Sequence, residues 1–379
     1  MATFQPLYRH RRFVLCAICC IMCILSMICI ATNINWKVLP SQSSISAFPD
    51  VGRKRKCFLC GYLLHPLAKK LFPETTCKIE LTPQESTNAH DILFYGLYGK
   101  CNQSTLENFP GTIVIVNGES PIDPILSVPN ANHSTQRQLY LGPTKHHEQC
   151  FGGAFRFQFF YVTFAALMFT QRDHITITDM MSAPRYNSGN TSVFYQNSHC
   201  VGLREDTFKI IAENLTNGIL SASKDHWPVA AGKCFGGRQD LHQKEPGSWN
   251  MLGKRENLFV FAMENKMSRG YITEKLLRAF LMGSVPIYWG TSEVFDLFNE
   301  RAFLSYDPDS EEHNLKQLVE RINHLISHPQ EYHEALSEPI FTVDSMERYF
   351  FKGNKLRRSI LSALDKASDC PLAAKANVR

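Results

Sequence analysis

One stretch, Asn257 to Gly290 (NLFVFAMENKMSRGYITEKLLRAFLMGSVPIYWG), constrains the fold of this chain more than any other. Leu258 to Met263 is an apolar run of the length of a buried strand, and Glu264 to Gly270 reads as a polar loop. From Thr273 the apolar residues Leu276, Leu277, Phe280 and Leu281 fall on one helical face. Gly283 is the stop before a second apolar run, Val285 to Trp289. The pattern predicts a strand-helix-strand unit. In such units ligands bind beyond the carboxyl ends of the strands, where a helix N-terminus offers free N–H groups to an anion. Thr273 is the expected cap, and Lys275 adds a cation in the first turn.

The N-terminal end points to a compartment. Arg9, His10, Arg11 and Arg12 precede Phe13 to Thr32, twenty residues without a charge, the length that crosses a ~30 Å hydrocarbon core. A cleaved signal peptide has a shorter apolar core and a small-residue cleavage site, so the expectation is an uncleaved signal anchor. Residues 1–12 are then a cytosolic tail, 13–32 a transmembrane helix and 33–56 a stem. The stem reading rests on Pro40, a serine-rich patch and the charge run Arg53 to Lys56. The body beyond it is too long for one small core and suits two lobes. These are predicted at 57–200 and 201–379.

Five of the thirteen cysteines lie in the apolar segment. The other eight are Cys57, Cys60, Cys77, Cys101, Cys150, Cys200, Cys234 and Cys370. An even number pairs fully in an oxidising lumen, although sequence does not assign the partners. Cys57-x-x-Cys60 also has the spelling of a metal or redox pair, but no second pair follows it. Sequons at Asn102, Asn132, Asn190 and Asn214 agree with a lumenal body. The net charge of +5 is modest and lies largely in the anchor flank and stem, which argues against nucleic-acid binding.

Two further regions carry candidate chemistry. Thr112 to Val116 (TIVIV) is a β-branched strand, preceded by the strand-like His90 to Tyr98 and followed at once by Asn117, Gly118, Glu119, Ser120 and Pro121. A carboxylate after a buried strand is placed for acid-base work; the same spacing also suits a turn cap. Asn197 to Arg204 (NSHCVGLR) precedes a predicted helix, Glu205 to Leu215, with Phe208, Ile211, Ala212 and Leu215 on one face. Spacing by itself leaves Arg204 as either a solvated helix-start residue or an anion ligand.

Taken together, these motifs resemble those of the GDP-fucose-dependent α1,3/4-fucosyltransferases. MENKMSRGYITEK followed by GSVPIYWG is similar to the donor signature FENS, a spacer, Y-[IV]-T-E-K and a strand containing VP or IP. Asn117 to Pro121 resembles the acceptor-side N-x-E-S-P, Met168 to Asp173 (MFTQRD) resembles M-T-Y-R-x-D, and NSHCVGLR resembles S-N-C-x-x-x-x-R. Two positions depart: Lys266 stands where the family has Ser, and His199 where it has Asn. The C-terminal half is closer to the family than the N-terminal half.

The resemblance implies two Rossmann-like α/β lobes facing across a cleft (GT-B type), the C-terminal one binding GDP-fucose. It carries Glu119 over as the catalytic base and Arg172 and Asp173 as polar members of a third patch. Arg204, Glu264, Asn265, Tyr271, Glu274 and Lys275 are carried over as donor-binding residues. It implies transfer of L-fucose to a glycan or glycoprotein acceptor that contains N-acetylglucosamine, in the Golgi, with inversion at the anomeric carbon. A tightly bound cofactor is not expected. Asp307-Pro308-Asp309 has the spelling of a D-x-D metal signature but follows the strand-like Ala302 to Tyr306 and reads as a turn, so no metal site is assigned; stimulation by a divalent cation stays open. Two other readings share part of this evidence: an inactive sugar-binding protein on the same fold, and a transferase of another nucleotide sugar.

The remaining features are structural expectations. Phe155 to Phe164 reads as core, Trp227, Trp249 and Trp289 as possible sugar-stacking residues, and Lys224 to Lys254 as a loop. Lys352 to Ala367 reads as a terminal amphipathic helix packing on the body.

Overall fold

The computed structural model describes residues 55–73, 77–80, 88–96, 101–118, 137–143, 148–151, 154–172, 191–197, 199–217, 228–234 and 257–370. The apolar span 13–32, residues 33–54 of the expected stem and Glu119 lie outside them, as do Asp173, Trp227 and Trp249, whereas Arg55 and Lys56, counted with the stem, open the first strand. No helix among the described residues is long and apolar enough to cross a membrane.

The first sheet is built from β1 (Arg55–Cys60), β2 (Cys77–Glu80), β3 (Ile92–Gly96), β4 (Thr112–Val116), β5 (Gln138–Gly142), β6 (Gln149–Phe151) and β7 (Ala154–Gln158). Their order is β2-β1-β3-β4-β5-β7-β6, parallel throughout except for β6, which runs antiparallel to β7. Ile113 to Val116 and the whole of β5 are buried, the continuous apolar pattern of strands covered on both faces. Helices α1 (His65–Leu71), α2 (Gln103–Asn108) and α3 (Tyr161–Arg172) belong to this half of the chain.

The second sheet contains β8 (Thr191–Asn197), β9 (Val229–Gly232), β10 (Asn257–Phe261), β11 (Val285–Tyr288) and β12 (Leu304–Ser305) in the order β12-β11-β10-β8-β9, all parallel. Between its strands run α4 (Gly202–Asn217), α5 (Glu274–Leu281) and α6 (Val294–Leu297); α7 (Leu315–Ser327), α8 (Pro329–Ser337), α9 (Ser345–Arg348) and α10 (Lys355–Ala367) follow. Leu276, Leu277, Ala279 and Phe280 of α5 are all buried, while Glu274 and Lys275 stay partly exposed. Burying each large apolar side chain contributes about 1.5–3 kcal/mol, so the apolar face fixes where the charged one points. The helix stops at Met282 and Gly283, the latter at φ +76°, a conformation that favours glycine.

The structure revises the expected boundaries. Strand β8 was placed in the first lobe by the break at 200, yet it pairs with β10 and β9 in the second sheet. Hydrophobicity marks a strand but not its sheet. Within Lys224 to Lys254, expected to be a loop, Val229 to Gly232 pairs with β8, and the neighbouring Cys234 is bonded to Cys200. The C-terminal helix α10, counted with the second lobe, packs Leu356, Ile360, Ala363, Leu364 and Ala367 into the core of the first sheet. Arg357 Nε donates to the Leu71 carbonyl at 2.9 Å, and Cys370 bonds Cys150 of β6 across 220 residues of sequence.

All eight body cysteines are paired: Cys57–Cys77, Cys60–Cys101, Cys150–Cys370 and Cys200–Cys234. Cys57 and Cys60 therefore go to different partners and form neither a metal clip nor a redox pair. The aromatic run 155–164 is core as expected, but it serves two cores. Phe155, Phe157, Phe159 and Phe164 lie in the first, while Phe160 joins Val162, Ala165 and Phe169 in a second that includes α5. Helix α3 is thus shared between the two halves.

Candidate active site

The carboxyl edge of β10 holds the site. Its pairing with the β11 side continues beyond the strand, Ala262 N–H donating to Ile287 and Glu264 N–H to Trp289, each at 2.8 Å. Glu264 is thereby fixed above the sheet with no exposed side-chain surface. One carboxylate oxygen accepts from the Thr273 N–H at 2.7 Å. The other accepts from the Thr273 hydroxyl at 2.7 Å and from Lys275 Nζ at 3.0 Å. Both oxygens accept from protein donors, and together they clamp the start of α5. Thr273 occupies the N-cap position, but its hydroxyl is turned to Glu264 and makes no cap bond. The clamp needs space: a Cβ on Gly290 would stand 3.0 Å from Glu264 Cγ and 2.4 Å from the Tyr288 hydroxyl. Glycine is required there by close approach.

The electrostatics follow from burial. For Lys275, burial disfavours the charge and the Glu264 and Glu274 carboxylates favour it; the carboxylates prevail and its pKa is raised. Burial pushes the Glu264 carboxyl up, while the Lys275 ammonium and the two Thr273 donors pull it back. Lys275 keeps 19% of its side-chain surface exposed, whereas Glu264 keeps none.

Arg204 lies in the first turn of α4 and is completely buried. Nη1 donates to the Met263 carbonyl at 3.2 Å and to Asn265 Oδ1 at 2.8 Å, and Nη2 donates to the His199 carbonyl. Its Nε has no partner among the described residues. Burial lowers its pKa, and none of these acceptors is a carboxylate. Two cations from the first turns of two helices are therefore gathered by three consecutive residues: Met263 and Asn265 hold Arg204, and Glu264 holds Lys275. Asn265 is brought in as a partner of Arg204 through its Oδ1.

Tyr271 is buried, its N–H donating to the Ser268 carbonyl at 3.0 Å, and Glu274 opens α5 half-buried. Lys266, the departure from the family pattern, is exposed. Arg278 was missed at the sequence level. It lies four residues after Glu274, on the same helical face, and its guanidinium donates to Gln196 at the end of β8 at 3.2 Å. With Gln196, Asn197 and Lys275 it lines a cavity of about 30 Å³, the volume of one water. The i, i+4 spacing from Glu274 is a signal that could have found it.

Other expected residues are placed as follows. Glu119, Asp173, Asn132 and Asn190 lie outside the described residues, as does the side chain of Arg172. Gly118, immediately before Glu119, lies against Tyr161, whose ring would be 2.1 Å from an added Cβ. Asn102 and Asn214 are exposed; the first caps α2 by accepting from Ser104 N–H at 3.1 Å. Trp289 is partly buried and packs against a hydrophobic core. Asp307 accepts from the Asp309 N–H at 3.1 Å, the turn expected for that motif. Among the described residues Cys200, Glu205 and Cys234 come close enough to share a metal, but the two sulfurs are bonded to each other.

Parallel α/β sheets bind ligands beyond the carboxyl ends of their strands, which is where the two cations of this site are gathered. Over residues 220–337 the chain matches the model described as glycosyltransferase family 10 (fucosyltransferase) C-term. It is 36% identical over 97 residues to a putative fucosyltransferase of Acanthamoeba polyphaga mimivirus, a stretch covering 24% of this chain and 16% of that protein. It is 30% identical over 115 residues to the alpha-(1,3)-fucosyltransferase FucT of Helicobacter pylori, covering 29% of this chain and 23% of the relative. The chain therefore aligns with less than a quarter of the length of either. Among solved structures, one of an alpha1,3-fucosyltransferase matches 86% of this chain and 93% of its own, with a TM-score of 0.54 and 17% identity. A second, of an alpha1,3-fucosyltransferase with GDP-fucose, matches 86% and 94% with a TM-score of 0.53 and 18% identity. These likenesses establish the fold.

Proposed function

We infer that this chain is an inverting α1,3-type fucosyltransferase that moves L-fucose from GDP-β-L-fucose to a glycan carrying N-acetylglucosamine. The observation that carries this reading is the convergence of Arg204 and Lys275 on residues 263–265. Cleaving a sugar–diphosphate bond builds negative charge on the departing nucleotide, and preorganised cations in a dry site stabilise it without reorganisation. Lys275 supplies a point charge to a phosphate, and Arg204, whose fork is taken up by Met263, Asn265 and His199, adds its positive charge from within the protein. Tyr271 and Glu274 border the same loop and helix start, and this reading assigns them to the ribose or fucose.

In this mechanism an acceptor hydroxyl attacks C1 of fucose on the face opposite GDP. The C1–O bond breaks with its electron pair leaving on the β-phosphate, and the hydroxyl proton passes to Glu119. One displacement inverts the centre, giving an α-linked product from the β-linked donor. Glu119 comes after β4 and the pair Asn117–Gly118, and Gly118 lies against the start of α3, whose Val162 N–H donates to the Ile272 carbonyl at 3.0 Å. That link supports a base placed near the donor. A Golgi type II topology is supported by the apolar span 13–32, the exposed Asn102 and Asn214 and the complete pairing of the body cysteines.

The test is incubation with GDP-fucose and a glycan array, reading fucose incorporation by mass and GDP release in parallel. Fucosylated product is expected. Folded protein that GDP fails to protect from heat, or that UDP protects equally, would overturn the donor assignment; a ligand at a hundred times its Kd stabilises by ~2.7 kcal/mol.

A further inference from the structure

Strand β8 outruns its partner on one side. Its pairing with β10 ends at Phe194 and Val260, while on the other side β9 stays paired as far as Asn197. Gln196 therefore stands past the last β10 contact and shortly before His199, whose carbonyl takes Arg204 Nη2. Side chains alternate along a strand, so Gln196 shares a face with Phe194. That face is the one covered by α5, because Phe194 lies in one core with Leu276, Ala279 and Phe280. Arg278 of α5 reaches across it, and its Nη2 donates to Gln196 Oε1 at 3.2 Å.

This contact joins the two cations of the site by a second route. Lys275 lies just before Arg278 on the same helix and is held by Glu264. Arg204 follows β8 in α4 and is held by Met263 and Asn265. Residues 263–265 are one connection between the cations. Arg278 and Gln196 are the other, running from α5 to the strand that feeds α4. The cavity that Arg278 shares with Lys275 and Asn197 is about 30 Å³, space for a water and not for a phosphate, so Arg278 acts through β8 instead of touching the nucleotide there. Two phosphates span more of the site than one. A diphosphate therefore senses the spacing of the Lys275 and Arg204 charges, and a monophosphate senses it less.

We propose that Arg278 is a positioning residue for the nucleoside diphosphate: by holding Gln196 at the end of β8 it sets the turn that carries Arg204 in register with Lys275. This rests on the fucosyltransferase reading above and adds to it a residue outside the two motifs, Tyr271 to Lys275 and Asn197 to Arg204, that makes them act together.

The test uses the full chain in detergent, with GDP and GMP titrated calorimetrically and Tm measured on the same samples. Wild type should bind GDP more tightly than GMP. Arg278→Met keeps the apolar stem and removes the hydrogen-bond donor; it should weaken GDP about tenfold and GMP about twofold, narrowing the ratio between them. Gln196→Ala should narrow it likewise, and it decides the matter if Arg278→Met does not fold. The double variant should lose no more than the larger single loss, since both substitutions cut one link. A general loss of stability would lower Tm and both affinities alike; an unchanged GDP-to-GMP ratio, or additive losses in the double variant, overturns the positioning role. Wild type that binds no GDP removes the donor reading itself, whereas wild-type GDP binding with an unchanged ratio in both variants removes the role of Arg278 alone.

Discussion

Replacing Glu264 by glutamine keeps its volume and removes its charge. Three donors now converge on two carboxylate oxygens: Thr273 N–H at one, Thr273 hydroxyl and Lys275 ammonium at the other. An amide has one oxygen, so whichever way it turns, its NH₂ meets a donor. The ammonium also loses its buried counter-charge 3.0 Å away. Removing one partner of a buried pair costs about 3–5 kcal/mol, and the partial exposure of Lys275 places Glu264→Gln at the lower end, about 3 kcal/mol. At ~2 °C per kcal/mol for a large domain, Tm should fall by about 6 °C. GDP affinity should fall more than tenfold, because Lys275 and the first turn of α5 are no longer held. The double variant Glu264→Gln with Lys275→Met discriminates further: removing both charges should restore much of the lost stability but none of the GDP binding. Calorimetric melting and GDP titration read both effects. A Glu264→Gln protein that melts within a degree of wild type and binds GDP equally would refute the clamp.

Glu119→Gln should bind GDP nearly as well as wild type yet lose transfer by about 10²–10⁴-fold, measured as fucose incorporated per GDP bound; undiminished turnover removes Glu119 from the base role. Gly290→Ala places a methyl 2.4 Å from the Tyr288 hydroxyl and 3.0 Å from Glu264 Cγ, and should destabilise by about 1–3 kcal/mol and weaken GDP binding in titration, whereas a neutral substitution would show the contact yields freely. Tyr140 is pushed up to about 12 by burial, against an Asn117 hydrogen bond and the Arg156 charge that both pull it down. Its folded pKa exceeds the unfolded ~10, so its contribution is intact below pH ~10 and is lost as pH rises toward 12, about 2–3 kcal/mol in all. Tyr140→Phe should flatten that part of a denaturation-versus-pH curve, and an unchanged slope would assign the loss elsewhere.

The donor half of the site was legible because its signals are local. Residues 257–290 contain their own strand, loop, helix and strand, and the predicted spans agree with β10, α5 and β11 to within a residue or two. Arg204 was reached through a motif that also lies next to its own helix. The role of Glu264 was not legible. Its motif says that a carboxylate is needed, while its partners, Thr273 and Lys275, lie nine and eleven residues on and meet it only when α5 folds back on the sheet. The cavity lined by Gln158, Asp296 and Tyr349 was invisible for a stronger reason: these residues are spread over nearly two hundred positions and share no local pattern.

The chain by itself determined the class of its elements, the positions of its cations and carboxylates at helix starts, and the pattern of apolar faces, because these depend on periodicity and on neighbours a few residues apart. The tertiary structure alone decided which strands share a sheet, which cysteines pair, that α10 returns to the first core, and which polar groups face protein instead of ligand. Those outcomes depend on contacts between residues distant in sequence, such as Cys150 with Cys370 and Arg204 with Met263, and no local preference encodes them.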